Sequence, residues 1–426
     1  MLLHARETPM THAAPVASAE RITALDTLRG FAVLGILVMN VQSFSMPLPA
    51  YLNPTAYGDL GGANGWVWRL SHLFFDQKFM TIFSLLFGAG IFLFTTRAEA
   101  KGESPRRLHY RRMLWLLLFG LAHAYALWYG DILVSYALCG MLVYPFRRRS
   151  PATLLIVGVV LIALGSALWI FFGWSMQYWP EEEINSLLDK DWQPRPEALA
   201  AELGAYRGGW WTQMNHRVPT SFEFQTFLFL IGVVWRVCGL MLAGMALYKL
   251  GVVTAQRTRN FFAAMFAAGM LGGVPLVAYG IARNVAAGWD VRYSFFYGSQ
   301  FNYWGSLLVC AGWIGMVMLA AKSPAMDWFT RPLGAVGRMA FTNYLMQTLI
   351  CTTIFYGHGF GLFGSVPRTG QALVVVGVWI FQLVFSPLWL RRYQFGPFEW
   401  AWRSLTYGSA QPFRRPALAT ATARAE

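Results

Sequence analysis

His123 stands inside the apolar run Leu114–Trp128, and Asp131 follows after only Tyr129 and Gly130. Two helices joined by so tight an outer turn lie side by side, so Asp131 or Tyr136 can approach the histidine. Histidine is the usual general base near neutral pH, and a carboxylate orients its ring and supports its cation. The pair could take a proton from an attacking hydroxyl. The plainer alternative is a buried histidine hydrogen-bonded to a carbonyl.

Other ionisable groups interrupt apolar runs, where they are expensive and usually face the bundle interior or a watery cavity. Leu25-Asp26-Thr27-Leu28-Arg29-Gly30 opens the first run. Asp26 can cap a helix there, and Arg29 lies one turn on. Arg29 either snorkels or turns inward to hold an anionic group such as phosphate. Asn40, deeper in the same run, needs a partner. His72 and Asp76 are one turn apart and can meet, with Lys78 beside them. Arg236 lies within Phe227–Tyr248 and cannot shed its proton. It either pairs with a carboxylate such as Asp131 or Asp76, or it anchors a ligand. Arg338, Thr342, Asn343 and Gln347 fall near one side of a helix, where they either bond neighbouring helices or line a substrate cavity. His358 follows at the outer end.

These residues need a frame, and composition names it. Of 426 residues 56% are hydrophobic and 13% charged, with mean hydropathy +0.42, against about 25% charged in a soluble domain. Lipid is the implied partner, and the 19 Trp, 18 Tyr and 33 Phe suit its two interfaces. The net charge of +14 is read as topology-setting Lys and Arg rather than a nucleic-acid surface. Cys139, Cys238, Cys310 and Cys351 lie in apolar segments without CxxC spacing and read as buried thiols. No metal or tightly bound cofactor is expected. Walker, GxGxxG, GxSxG and HExxH motifs are absent from the sequence.

Runs of spanning length predict an all-α polytopic bundle of about ten transmembrane helices, near 27–45, 73–95, 112–129, 131–146, 152–174, 225–249, 260–282, 303–321, 336–357 and 371–390. The loop at 97–112 is rich in Arg, as are Arg147, Arg148 and Arg149. Lys249, Arg257 and Arg259, then Lys322 and Arg331, then Arg391 and Arg392 continue the series. The intervening loops are poor in Lys and Arg, so both termini are expected in the cytoplasm. A single bundle is expected over 1–410. Helices one to five occupy 27–174 and helices six to ten 225–390. The outer segment 175–224 should hold either short surface helices, with Pro180 and three glutamates starting one of them, or a solvated loop. The polar stretch before Arg21 offers no cleaved leader, and a disordered tail is expected over 411–426.

The chain resembles the bacterial YeiB-like membrane proteins, which carry domain of unknown function 418 towards the C-terminus, here about 230–410. The resemblance rests on Arg21 to Asn40, on His123 with Trp128-Tyr-Gly-Asp-Ile-Leu133, on Gly337-Arg-Met-Ala-Phe-Thr-Asn-Tyr-Leu-Met-Gln347, and on Ser386-Pro-Leu-Trp-Leu-Arg391 with Phe395-Gly-Pro-Phe-Glu-Trp400. It implies a bacterial cytoplasmic-membrane protein. The Leu-Asp-Thr-Leu-Arg-Gly opening is similar to that of transmembrane acyltransferases, including heparan-glucosaminide acetyltransferase. That similarity implies acyl-CoA as co-substrate and a glycan or lipid acceptor on the outer side. The heparan enzyme has its catalytic histidine in the first outer loop. Segment 46–71 holds no histidine, so the role falls to His72 or His123. On this reading His123 is the base, Asp131 its support, and Arg29 and Arg338, each at a helix start, contact phosphate. Arg236, Asn343, Asp76 and Gln347 complete the binding set. A carrier for a small anionic solute, built on Arg236, Asp131 and Asn343, is the alternative, and a non-catalytic scaffold the third.

Overall fold

The computed structural model describes residues 22–415, so the expectations for the leader and for 416–426 fall outside the described residues. Among those described the chain is helical, with no β-strand. The helices are α1 (Thr23–Ser45), α2 (Pro49–Leu52), α3 (Gly62–Phe74), α4 (Lys78–Ala100), α5 (Pro105–Ala126), α6 (Leu133–Val143), α7 (Pro151–Ser175), α8 (Glu181–Leu187), α9 (Pro196–Arg207), α10 (Trp210–Gln225), α11 (Val234–Lys249), α12 (Arg259–Ala286), α13 (Ser299–Ala321), α14 (Asp327–Arg338), α15 (Ala340–Phe355), α16 (Arg368–Arg392) and α17 (Pro397–Tyr407).

Seven helical stretches among the described residues are long and apolar enough to cross a bilayer: Thr23–Ser45, Gly62–Ala100, Pro151–Tyr178, Trp210–Lys249, Arg259–Ala286, Arg292–Ala321 and Arg368–Arg392. The 23 residues of α1 reach about 35 Å at 1.5 Å per residue, against a hydrocarbon core of about 30 Å. The other three expected segments are built differently. α5 has 22 residues, but its first turns carry Arg106, Arg107, Arg111 and Arg112. α6 has only 11 and runs into a 3-10 turn, Tyr144–Arg148.

The expected helix 336–357 is two helices. It breaks at Met339, with φ −112° and ψ 29°. Side chains replace the lost backbone bonds. Asn343 Nδ2 donates to the Val336 carbonyl at 3.1 Å. Glu399 Oε1 accepts the N–H groups of Phe341 and Thr342 at 2.6 and 3.0 Å. Arg338 therefore ends α14 instead of opening a helix, which corrects the sequence reading.

α1 is the central helix, with 72% of its apolar stretch buried. In α12 that share is 22%, and in α7 and α16 it is 28%, so these three form the rim. Their outward residues, such as Ile156, Val160, Leu271, Leu373 and Ile380, are exposed and apolar, a surface suited to lipid. α1 crosses α14 with backbones touching. A β-carbon on Gly30 would overlap the Leu333 carbonyl, and one on Gly337 the Asp26 carbonyl. This crossing brings Arg29 and Arg338 to the same end of the bundle.

Segment 175–224 folds into short helices, the first of its two expected forms, and Pro180 precedes α8 with Glu181, Glu182 and Glu183 in its first turn. α10 closes the C-terminal end of α5. Arg217 and Trp210 donate to the Ala126 carbonyl at 2.5 and 2.9 Å, and Ser221 to that of Ala124 at 3.0 Å. At the opposite end α17 packs on α5 and α15. Trp402 Nε1 donates to the Arg112 carbonyl at 2.9 Å, and the Arg112 guanidinium lies between the rings of Phe94 (4.6 Å) and Trp402 (4.3 Å). Beyond it, Gln394 N–H donates to the Phe413 carbonyl at 2.9 Å and Arg415 N–H to that of Arg392 at 3.1 Å.

Candidate active site

The short turn between α5 and α6 does what its sequence suggests. His123 Nδ1 lies 2.6 Å from Asp131 Oδ2, with side chains 1% and 0% exposed. Asp131 Oδ1 accepts the Val134 N–H at 2.9 Å, so the carboxylate is fixed by the first turn of α6. The second ring nitrogen, Nε2, is 2.9 Å from Thr348 Oγ1 on α15. A carboxylate on Nδ1 fixes the proton there and leaves a lone pair on Nε2 facing the hydroxyl. Carboxylate, imidazole and hydroxyl thus stand in one line inside the bundle. Trp128, edge-on to His123 at 6.2 Å between ring centres, has an indole N–H without a partner among the described residues. Tyr136 does not join this group. Its hydroxyl meets Ser84 at 2.8 Å.

A cavity of about 310 Å³ opens near the start of α1 and α5 and runs inward, a size common for small-molecule sites. Its outer part carries Arg29, Arg97, Lys101, Arg112, Arg338 and Arg403 against Asp26, Glu103 and Glu399. Its inner wall is apolar and aromatic, with Phe83, Leu86, Phe87, Met113, Leu116, Leu133, Tyr136, Phe341 and Tyr344. Tyr344 lines that inner end and also packs on His123, with ring centres 5.3 Å apart. His123 and Asp131 stand behind it and do not line the cavity.

At the mouth Arg29 Nη1 donates to Asp26 Oδ1 at 2.9 Å, and Arg338 Nη2 to the Gln394 carbonyl at 3.4 Å. Glu399 is buried, which pushes its carboxyl above the usual range against the pull of its bonds from Thr342 and Phe341. Two contributors escaped the sequence reading. His109 precedes the apolar run among arginines and lines the cavity. Its Nε2 bonds the Gly140 carbonyl at 3.0 Å, and Nδ1 has no partner among the described residues. Thr348 carries no local signal, because only the packing of α15 on α5 gives it a role.

The remaining sequence candidates lie elsewhere. Asp76 bonds His72 at 3.1 Å, as their spacing suggests, and also accepts from Asn302 at 2.8 Å. Lys78 Nζ donates to Asn302 Oδ1 at 2.5 Å. Arg236 bonds neither Asp131 nor Asp76. It donates to the Tyr303 carbonyl at 3.0 Å, to Ser306 at 2.7 Å and to Thr81 at 3.3 Å, and lies 4.2 Å from the Tyr303 ring centre. Neutral acceptors and an aromatic face solvate the cation, so of its two expected roles the direct carboxylate pair is not made. Asn343 bonds Ser386 at 3.0 Å, and Gln347 bonds Gln382 at 3.0 Å and the Val33 carbonyl at 3.1 Å. This ladder joins α15, α16 and α1 and does not line the cavity. Arg236, Asp131 and Asn343 therefore do not converge.

Comparison with known proteins finds relatives along nearly the whole chain. The family described as a protein of unknown function, DUF418, matches residues 247–409. The chain is 31% identical over 404 residues to the uncharacterized protein YeiB of Escherichia coli K12, covering 92% of this chain and 98% of that protein. It is 31% identical over 418 residues to the uncharacterized protein YxaH of Bacillus subtilis 168, covering 95% and 99%. An uncharacterized 39.9 kDa protein of Bacillus acidopullulyticus, from the amylase 3' region, is 28% identical over 400 residues, covering 93% and 97%. No solved structure matches the chain. At 31% identity to two of these relatives over nearly its full length, the chain belongs to the YeiB-like family.

Proposed function

We propose that this protein is a transmembrane acyltransferase of the bacterial cytoplasmic membrane. It moves an acyl group from cytoplasmic acyl-CoA to a hydroxyl or amine of a glycan or lipid on the outer side. In this reading the chain crosses the bilayer ten times with both termini inside, α5, α6 and the α14–α15 pair adding three crossings to the seven apolar stretches. The alternation of Lys- and Arg-rich loops supports that orientation.

The observation that carries the reading is the cavity. Six basic side chains at its mouth, Arg29, Arg97, Lys101, Arg112, Arg338 and Arg403, suit phosphates. Its apolar depth suits a thioester arm, and it ends on Tyr344 against His123. Acyl-CoA would thread this cavity with its thioester past Tyr344. His123 Nε2 accepts the proton of the attacking group as the new bond to the acyl carbon forms. The C–S bond breaks, and the CoA thiolate leaves with that proton. Asp131 supports the transient imidazolium, and base catalysis of this kind contributes about 10²–10⁴ in rate. The carrier reading loses its support because its three proposed groups have separate neighbours.

The test uses purified protein in nanodiscs with acyl-CoA and a membrane-glycan extract, following thiol release. His123→Ala should lower turnover at least a hundredfold, and Arg29→Gln should raise KM with little change in kcat. Full activity of His123→Ala would exclude the assigned base. Solute uptake by liposomes holding the protein, without any acyl donor, would favour a carrier.

A further inference from the structure

Several buried threonines and serines in this bundle return their hydroxyls to the backbone one turn back, while others, such as Thr342 on Glu399 and Ser166 on Gln300, serve a side chain. Thr27 bonds the Thr23 carbonyl at 3.0 Å, Thr81 that of Gln77 at 2.7 Å, Thr95 that of Ile91 at 2.8 Å, and Ser45 that of Val41 at 2.7 Å. This is the ordinary way to satisfy a hydroxyl inside a helix. Thr348 is 1% exposed and has no such bond among the described residues; its Oγ1 meets His123 Nε2 at 2.9 Å. With Asp131 on Nδ1 and Val134 N–H on the other carboxylate oxygen, the proton of the imidazole lies on Nδ1. The Thr348 hydroxyl is therefore the donor, and its oxygen is the atom the base would deprotonate. Thr348 also lies one helical turn beyond Tyr344, on the same face of α15. Thr348 itself does not line the cavity, which ends at Tyr344, so an acyl carbonyl reaches this oxygen only by displacing the Tyr344 ring.

We propose that Thr348 is the acyl carrier: the transfer runs through an acyl-threonine ester. This rests on the acyltransferase reading and deepens it. In the first half Thr348 Oγ attacks the carbonyl carbon of an acyl thioester. The Oγ–C bond forms, the C–S bond breaks, and the hydroxyl proton passes to His123 Nε2 and on to the departing thiolate. In the second half an acceptor hydroxyl attacks the ester carbon from the outer side. Its proton goes to His123 and then to Thr348 Oγ, which leaves as the free hydroxyl. One imidazole serves both halves, and donor and acceptor need never be bound together. That suits a transfer whose donor and acceptor are proposed to lie on opposite sides of a membrane.

The test incubates the full-length protein in nanodiscs with acetyl-radiolabelled acetyl-CoA and no acceptor, then digests and maps the label by mass spectrometry. Label should sit on the α15 peptide at Thr348 in the wild type, persist in Thr348→Ser, and fall to background in Thr348→Val and His123→Ala. Thr348→Val is nearly isosteric, and its elution as a single species in detergent would establish that it folds. With glycan acceptor added, Thr348→Val should also lose at least a hundredfold in transfer. Wild-type transfer by Thr348→Val would overturn the carrier while leaving acyltransfer intact, as would label on His123 itself. Neither thiol release nor label from wild type, with short- and long-chain acyl-CoA and acceptor alike, would remove the acyltransferase reading and the carrier with it.

Discussion

Asp131→Asn separates charge and tautomer from packing, because the side chain keeps its size while one oxygen becomes an NH₂. Asp131 spends its two oxygens on two donors, Oδ1 on Val134 N–H at 2.9 Å and Oδ2 on His123 Nδ1 at 2.6 Å. Asparagine offers one oxygen. If that oxygen stays on Val134, the NH₂ faces Nδ1, which must then accept. The imidazole proton moves to Nε2, pointing at Thr348, and the base has no lone pair for an incoming proton. If the amide flips, Nδ1–H keeps its acceptor but the NH₂ opposes the Val134 N–H. The site is dry, with Asp131 0% exposed, so an unmade bond there costs about 1–3 kcal/mol. At about 1.4 kcal/mol per tenfold, the competent tautomer falls by roughly 5- to 150-fold. Loss of the negative charge that supports the imidazolium adds to this, and the combined loss in kcat should reach about 10²–10⁴. Thiol release from acyl-CoA in nanodiscs measures it, and ¹⁵N spectra of labelled histidine report which nitrogen holds the proton. A loss below tenfold with the proton still on Nδ1 would refute the reasoning, since geometry would then suffice without the charge.

Glu399→Ala should remove the cap that starts α15 from α17. Three donors lose their acceptor, Phe341 N–H, Thr342 N–H and the Thr342 hydroxyl, the last at 2.6 Å. At about 1–3 kcal/mol for an unmet buried donor, a loss of at least 3 kcal/mol is expected, read as a lower melting temperature and faster proteolysis within α17. A melting temperature within a degree of wild type would count against the cap. Gly30→Ala should separate α1 from α14 and cost several kcal/mol as overpacking against a backbone carbonyl, seen as aggregation on size exclusion; a monodisperse variant of unchanged melting temperature would show that the crossing can relax. Glu202 gives a pH dependence outside the spans. Burial pushes its carboxyl up to about 7 from 4.5, against the Leu48 N–H it accepts. Below pH 4.5 both folded and unfolded chains hold the proton, so the group is neutral to stability. Between pH 4.5 and 7 only the unfolded chain ionises and stability falls, and above 7 the penalty is complete at about 3 kcal/mol. Glu202→Gln should abolish that component in melts recorded from pH 4 to 8, and a variant that kept the wild-type slope would refute it.

The membrane character, the helical class and the paired His123 and Asp131 were legible in the sequence. Each depends on local facts: run length against bilayer thickness, and a turn of two residues that leaves two side chains no distance to cover. His72 with Asp76 was legible for the same reason, one helical turn. Long-range partners were not. Arg236 was expected either beside a carboxylate or on a ligand because its charge demands compensation, and the fold supplies a carbonyl, two hydroxyls and an aromatic face. The break at Met339 was invisible because, beside the local bond from Asn343, its acceptor comes from Glu399, on a helix beyond α16. The hydroxyl on His123 comes from 225 residues away, and the cavity is walled by α1, α4, α5, α6, α14, α15 and α17 together. Sequence alone determined what must enter the lipid and which neighbours along the chain can touch. Tertiary structure decided which helix faces meet, because many pairings satisfy the same apolar pattern and only the packed bundle selects the one that brings Thr348 to His123, Ser306 to Arg236 and Gln382 to Gln347.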